Sequence, residues 1–262
     1  MTAVLPEWIQ QCFVFALGSC LGSFFNVVIH RLPAKLSIVH PASRCPRCGN
    51  PIAFYDNIPI LSYVVLMGRC RHCKTPISPR YPLVEAITGG AALYLFREYG
   101  FSPQFFGEFL FVSLLTLIAF IDLDTFTIPN VLSLPGIAAG LAFSFFTPRL
   151  SWQDSLVGVL LGGGFLYAIA VAYHFLRRQE GMGGGDIKLL AMIGAFLGAA
   201  GVLFTVMVAS VAGALAGIAV MKRRRTGLTA MVPFGPFLSL GAVCYLLWGQ
   251  DFIHWYVTEF FA

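Results

Sequence analysis

Apolar runs long enough to cross a bilayer recur along almost the whole chain, and they leave it few choices of fold. They cover roughly 8–29, 83–97, 103–121, 130–147, 155–176, 187–201, 202–221 and 234–250. A helix of about 20 apolar residues spans the hydrocarbon core, because each backbone N–H and C=O must be satisfied within its own segment. The second and sixth runs are short. The sixth and seventh meet at Gly198-Ala199-Ala200-Gly201 with no polar loop between them. Only 11% of the chain is charged, against about a quarter in a soluble domain. The expectation is an all-α polytopic membrane protein with about eight transmembrane helices.

Charge placement sets the orientation. Of the 17 Lys and Arg residues, all but Arg97 and Arg149 fall on one side if the N-terminus is outside. They lie in residues 30–82, at Arg177, Arg178 and Lys188, and at Lys222 to Arg225. Cationic connections stay on the cytoplasmic side, so both termini are expected outside. The net charge of +5 is therefore a topology signal, and no nucleic-acid partner is expected. The start of the chain lacks a basic n-region and cleavage site, so the first run reads as a retained span.

Three parts follow: a first transmembrane helix (1–30), a cytoplasmic loop (31–82) and a transmembrane core (83–262). The loop holds eight prolines, from Pro33 to Pro82, which rule out a continuous helix. It also carries Cys45-Pro46-Arg47-Cys48 and Cys70-Arg71-His72-Cys73. Two Cys-x-x-Cys knuckles supply four thiolates, which suits tetrahedral Zn²⁺ in a closed structural site. Gly49 and Lys74, each just after a knuckle, suit its turn. His72 reads either as a substitute ligand or as a surface residue. Redox dithiols are the competing reading, but the βαβ setting of such motifs is absent. The segment 54–63 between the knuckles reads either as packing or as part of a substrate or cofactor surface. Cys12, Cys20 and Cys244 lie alone in apolar runs and read as packing residues. No internal repeat is apparent.

Acidic residues are scarce, yet Asp122, Asp124 and Asp186 all fall on the cytoplasmic side of this topology. Asp122 and Asp124 follow the third run. Asp186 follows the glycines at 181 and 183–185. Asp122 and Asp124 read either as interfacial charges at a helix end, with Asn130 near the next cap, or as part of a site. Two carboxylates brought together share a proton; one can act as base on water while the other polarises a carbonyl. That is aspartic peptide hydrolysis, and the glycines leave room for backbone or substrate beside Asp186. The glycine run lacks both the dinucleotide and the P-loop patterns, and no His-Glu-x-x-His occurs. His174 and His254 have no nucleophile beside them and read as packing or interfacial residues.

The ordered set of motifs resembles the type IV prepilin peptidases. It begins with Gly22-Ser23-Phe24-Phe25-Asn26 through Arg31-Leu32-Pro33, then the double Cys-x-x-Cys loop and Arg80-Tyr81-Pro82-Leu83-Val84-Glu85. It continues with Ile121-Asp122-Leu123-Asp124, Gly183-Gly184-Gly185-Asp186 and Pro233-Phe234-Gly235-Pro236. The resemblance implies a bifunctional enzyme of the bacterial inner membrane. Its catalytic dyad would be Asp122 and Asp186, with Asp124, Gly183, Gly185 and Lys188 in support. Its substrates would be prepilins or type II secretion pseudopilins, cut at the cytoplasmic face and then N-methylated with S-adenosylmethionine. Gly68 would be associated with methylation. The chain departs from the family at Asn130, where an aspartate is usual, and at Met67, where some relatives have glycine. A proton-relaying transporter and a processing-deficient scaffold are the competing classes. The first leaves the thiol loop unexplained; the second leaves the acid pair unexplained.

Overall fold

The structure, a computed structural model, describes residues 6–177, 183–224 and 232–261. Its elements are α1 (Glu7–Arg31), a 3-10 turn (Phe54–Asn57), α2 (Leu61–Val65), α3 (Arg80–Tyr99) and α4 (Pro103–Thr125), followed by α5 (Asn130–Phe143), α6 (Trp152–Arg177), α7 (Gly184–Arg224) and α8 (Gly235–Phe261). The described residues form no strand, only the isolated bridges Arg44–Pro51 and Arg69–Pro76. The expected apolar runs fall largely on helices, but the run at 130–147 outlasts α5, which ends at Phe143. Four stretches, Glu7–Arg31, Pro103–Thr125, Trp152–Ala172 and Gly184–Lys222, are long and apolar enough to cross a membrane. Asn130–Phe143 and Gly235–Gly249 are apolar but shorter. Large side chains such as Phe146, Leu160 and Leu215 stand exposed on or beside these helices, a surface suited to lipid. This is a multi-pass membrane protein.

The chain divides into two compact units, Met1–Leu117 and Ile118–Ala262. In the first, α1 lies against α3 along small residues. A Cβ on Gly18 would stand 2.7 Å from Ala92 Cβ, and one on Gly22 would stand 2.7 Å from Glu85 Cα. Small residues four apart let two helix backbones approach where lipid gives no hydrophobic drive. Val14, Ala92, Leu95, Phe96 and Phe105 close the core of this unit. Cys12 and Cys20 are exposed on α1, so they do not serve as core packing.

In the second unit α5, α6 and α8 all pack on α7. Gly158 and Gly194 meet backbone to backbone, and Ser155 Oγ donates to the Ala195 carbonyl at 2.6 Å. Leu189, Leu190, Met192 and Ile193 are completely buried there. At about 1.5 Å per residue, the 41 residues of α7 would be far too long for one bilayer core of about 30 Å. The helix breaks at Gly198, with φ 70 and ψ −172, a conformation that a side chain disfavours. That break is why two apolar runs follow each other without a polar loop, and it falls a few residues before the expected boundary at 201.

Candidate functional site

Asp122 occupies the last turn of α4, which closes when Phe126, at φ 54, donates its N–H to the Asp122 carbonyl at 2.9 Å. Its side chain is 4% exposed. Gly235, the first residue of α8, donates its N–H to Asp122 Oδ2 at 3.0 Å. A Cβ on Gly235 would lie 2.7 Å from that oxygen, so the carboxylate rests directly on the glycine. The free N–H groups and dipole of a helix start favour an anion in this place.

Asp186 stands in the first turn of α7, where its N–H donates to the Gly183 carbonyl at 3.2 Å. Asp186 is near enough for the Asp122 charge to be felt at its carboxyl. Both aspartates belong to the second unit, Asp122 at the end of one helix and on the start of α8, Asp186 at the start of α7. Among the glycines, only Gly185 is pressed: a Cβ there would meet Ile128 Cβ at 2.9 Å. Gly183 and Gly184 face open space, and Gly181 and Met182 lie outside the described residues. Lys188 Nζ donates to Asn130 Oδ1 at 2.7 Å, tying the start of α5 to that of α7. Asp124 is exposed; two residues along a helix is about 200° of rotation, so it points away from the Asp122–Gly235 contact.

Gly235 is the site residue that a reading of the acids alone passes over. Its signal was present in the Pro233-Phe234-Gly235-Pro236 motif, but no local pattern says that this glycine lies under a carboxylate 113 positions earlier.

The four thiols form a second centre, in the first unit. All four Sγ atoms lie within 4.8 Å of one another, and Cys45 Sγ is 3.7 Å from Cys73 Sγ. A tetrahedral site with Zn–S of about 2.3 Å has S···S edges of about 3.8 Å, so the cluster has the right size for the ion. Each knuckle is built the same way. Gly49 N–H donates to the Cys45 carbonyl at 2.9 Å and Lys74 N–H to the Cys70 carbonyl at 3.0 Å. Gly49 and Lys74 both take positive φ, at 71 and 58. Arg44–Pro51 and Arg69–Pro76 then bridge the flanks. Behind this symmetry is a repeat that the sequence reading did not register: Arg44–Ile52 and Arg69–Ile77 both read Arg-Cys-x-x-Cys-x-x-Pro-Ile. Thr75 holds the Cys73 thiol down at about 6 through its hydroxyl and its backbone, which favours the thiolate that a metal needs. His72 is exposed and outside the cluster.

The segment between the knuckles is pinned to the second of them. Arg71 makes a forked pair with Asp56, with Nε 2.8 Å from Oδ2 and Nη2 2.6 Å from Oδ1. That hydrogen-bonded guanidinium holds the Asp56 carboxyl below the usual carboxylate range. Gly68 is buried at φ 65, and a Cβ on it would stand 2.9 Å from the Tyr63 ring.

A multi-pass helical membrane protein with a buried aspartate on a helix start, a second aspartate at another helix start and a four-thiol cluster is the class that this fold and these sites define. Residues 16–99 match the Bacterial Peptidase A24 N-terminal domain, and residues 109–218 match the Type IV leader peptidase family. The chain is 36% identical to a prepilin leader peptidase/N-methyltransferase of Burkholderia pseudomallei, over 95% of this chain and 89% of that one. It is 35% identical to the protein of that name in Aeromonas hydrophila, over 97% and 96% of the two chains. For Pseudomonas aeruginosa the identity is 35%, over 92% and 91%. No solved structure matches the chain. The chain belongs to the type IV leader peptidase family.

Proposed function

We propose that this protein cleaves the leader peptide of type IV prepilins or type II secretion pseudopilins and then N-methylates the new N-terminus. The observation that supports the peptidase half is the burial of Asp122 on the Gly235 N–H, with Asp186 near enough for the two charges to interact. The names of the relatives support both halves.

Asp122, whose Oδ2 is already held, takes a proton from water as general base. Asp186, whose carboxyl has no hydrogen-bond partner among the described residues, carries the shared proton and polarises the scissile carbonyl. The water oxygen bonds to the carbonyl carbon; the C–N bond then breaks, and the leaving amine takes up a proton from the dyad. Gly183 and Gly184, facing open space, leave room for an extended peptide. Gly185 and Lys188 hold the start of α7 against the 128–130 segment. Asp124 contributes charge at the rim.

Methyl transfer requires the freed amine as nucleophile. When bound, S-adenosylmethionine would supply the methyl group, leaving as the neutral thioether S-adenosylhomocysteine while the methylated amine gives up a proton to water. Residues 31–82 serve this reaction, with Cys45, Cys48, Cys70 and Cys73 holding a structural Zn²⁺ and Gly68 bracing the loop. Eight spans place the N- and C-termini in the periplasm of a bacterial inner membrane, with the zinc loop and the dyad in the cytoplasm.

Co-expression with a prepilin, followed by mass measurement of its N-terminus, tests both reactions in one spectrum. Asp122→Asn and Asp186→Asn are expected to reduce cleavage by at least about 10²-fold each, the scale of lost acid–base catalysis. Full processing by either variant would remove the dyad assignment.

A further inference from the structure

The first unit holds a cavity of about 470 Å³ whose lining includes neither Asp122 nor Asp186. It lies among the last turns of α1, the two cysteine knuckles, the segment 56–66 and the start of α3, with Cys45 and Cys70 in its wall. Its volume is within the range of about 300–1,000 Å³ typical of small-molecule sites. We propose that this cavity is the S-adenosylmethionine site, with Glu85 and Arg31 as its two charged anchors and Tyr63 as an aromatic wall. The proposal rests on the methyl-transfer reading above and assigns that reading a place.

The walls supply opposite charges at separated positions. Glu85 is 8% exposed, and its Oε2 accepts the Ile60 N–H at 2.7 Å. Ser23 of α1 also hydrogen-bonds this carboxyl. A carboxylate offers about four acceptor positions, so capacity remains for a ribose diol or for compensating a sulfonium. Arg31 lies eight residues beyond Ser23 on the same helix, about 12 Å further along at 1.5 Å per residue. Its guanidinium donates to the Ser37 and Pro41 carbonyls at 2.9 and 2.8 Å and has no carboxylate partner among the described residues. It is therefore placed to receive the carboxylate of an amino-acid arm. An elongated ligand with a nucleoside at one end and an α-amino acid at the other satisfies this arrangement.

Two further observations point to the same cavity. Ile60 is β-branched yet sits at φ 61, ψ −50, held there by its bond to Glu85. Such a conformation is costly, and costs of this kind gather at ligand clamps. Gly68 does not line the cavity but stands directly behind Tyr63, which does. A side chain at Gly68 would press on the Tyr63 ring and so on the wall of the cavity.

The test is direct binding by the full-length, zinc-loaded protein in detergent. The chain is irradiated with methyl-tritiated S-adenosylmethionine and the label is located by proteolysis; a Kd for S-adenosylhomocysteine is measured in parallel. Label is expected within residues 23–31, 54–66 or 80–85. Val27→Trp, which fills the cavity, and Glu85→Gln are expected to raise the Kd at least about tenfold with zinc retained. Label confined to residues 118–262, or an unchanged Kd in zinc-bearing Val27→Trp, overturns the assignment. If Val27→Trp loses zinc, the wild-type label map alone decides. A wild-type chain that cleaves a prepilin, leaves it unmethylated and binds no S-adenosylmethionine overturns the methyl-transfer reading itself, a result distinct from failure of the site assignment.

Discussion

At the scale of single residues, the proposed peptidase site is expected to depend on a glycine as much as on its two acids. Asp122 Oδ2 lies on Gly235, so even a methyl group there forces the carboxylate aside. Gly235→Ala is expected to lower prepilin cleavage by roughly 10²-fold, since displacements of about 1 Å at a reacting group have that effect. The matched control is Gly164→Ala, where the added methyl meets nothing; normal cleavage by both variants would refute the contact. The identities of Asp122, Asp186 and the four cysteines could be read from the chain, because scarce charges and paired thiols stand out against an apolar background. The role of Gly235 could not, because it consists of one long-range contact. Lys188 is a similar case: its partner Asn130 lies 58 positions away.

At the scale of elements, two devices hold the protein together. One is the double knuckle, whose four clustered thiols could hold a metal ion; as proposed, that ion would supply much of the loop's stability. Cys48→Ser is expected to lower bound zinc and expose residues 31–82 to limited protease digestion, while leader cleavage persists; unchanged zinc content would count against the four-thiol site. The other device is glycine-mediated contact between helices. Gly158 meets the Gly194 backbone so closely that no side chain fits. Gly158→Leu should therefore cost about 1–3 kcal/mol or more, the scale of core overpacking, read as a lower unfolding midpoint in detergent. Helix positions were evident from hydropathy alone. The helix contacts were not, because glycine carries no apolar signal, and the break at Gly198 shows only as a positive φ.

At the scale of the whole molecule, orientation rests on charge. The positive-inside rule puts residues 31–82, 122–130 and 183–188 on one side. Cysteine-labelling with a membrane-impermeant reagent is the appropriate check. Residues 36–40 should react only after the inner membrane is opened, and residues 100–102 before it; the reverse pattern would invert the topology and move the dyad to the periplasm. Two questions about the molecule separate cleanly here. Hydropathy, basic loops, thiol spacing and the ordered acidic motifs are local and periodic, so the linear chain alone pointed to its membrane class, its candidate metal centre and its candidate dyad. The placement of Asp122 on the α8 start, the bracing of Tyr63 by Gly68, and the cavity between Glu85 and Arg31 depend on contacts between distant residues. Those contacts exist only once helices pack, and packing is decided by the shape of facing surfaces, which no local pattern records.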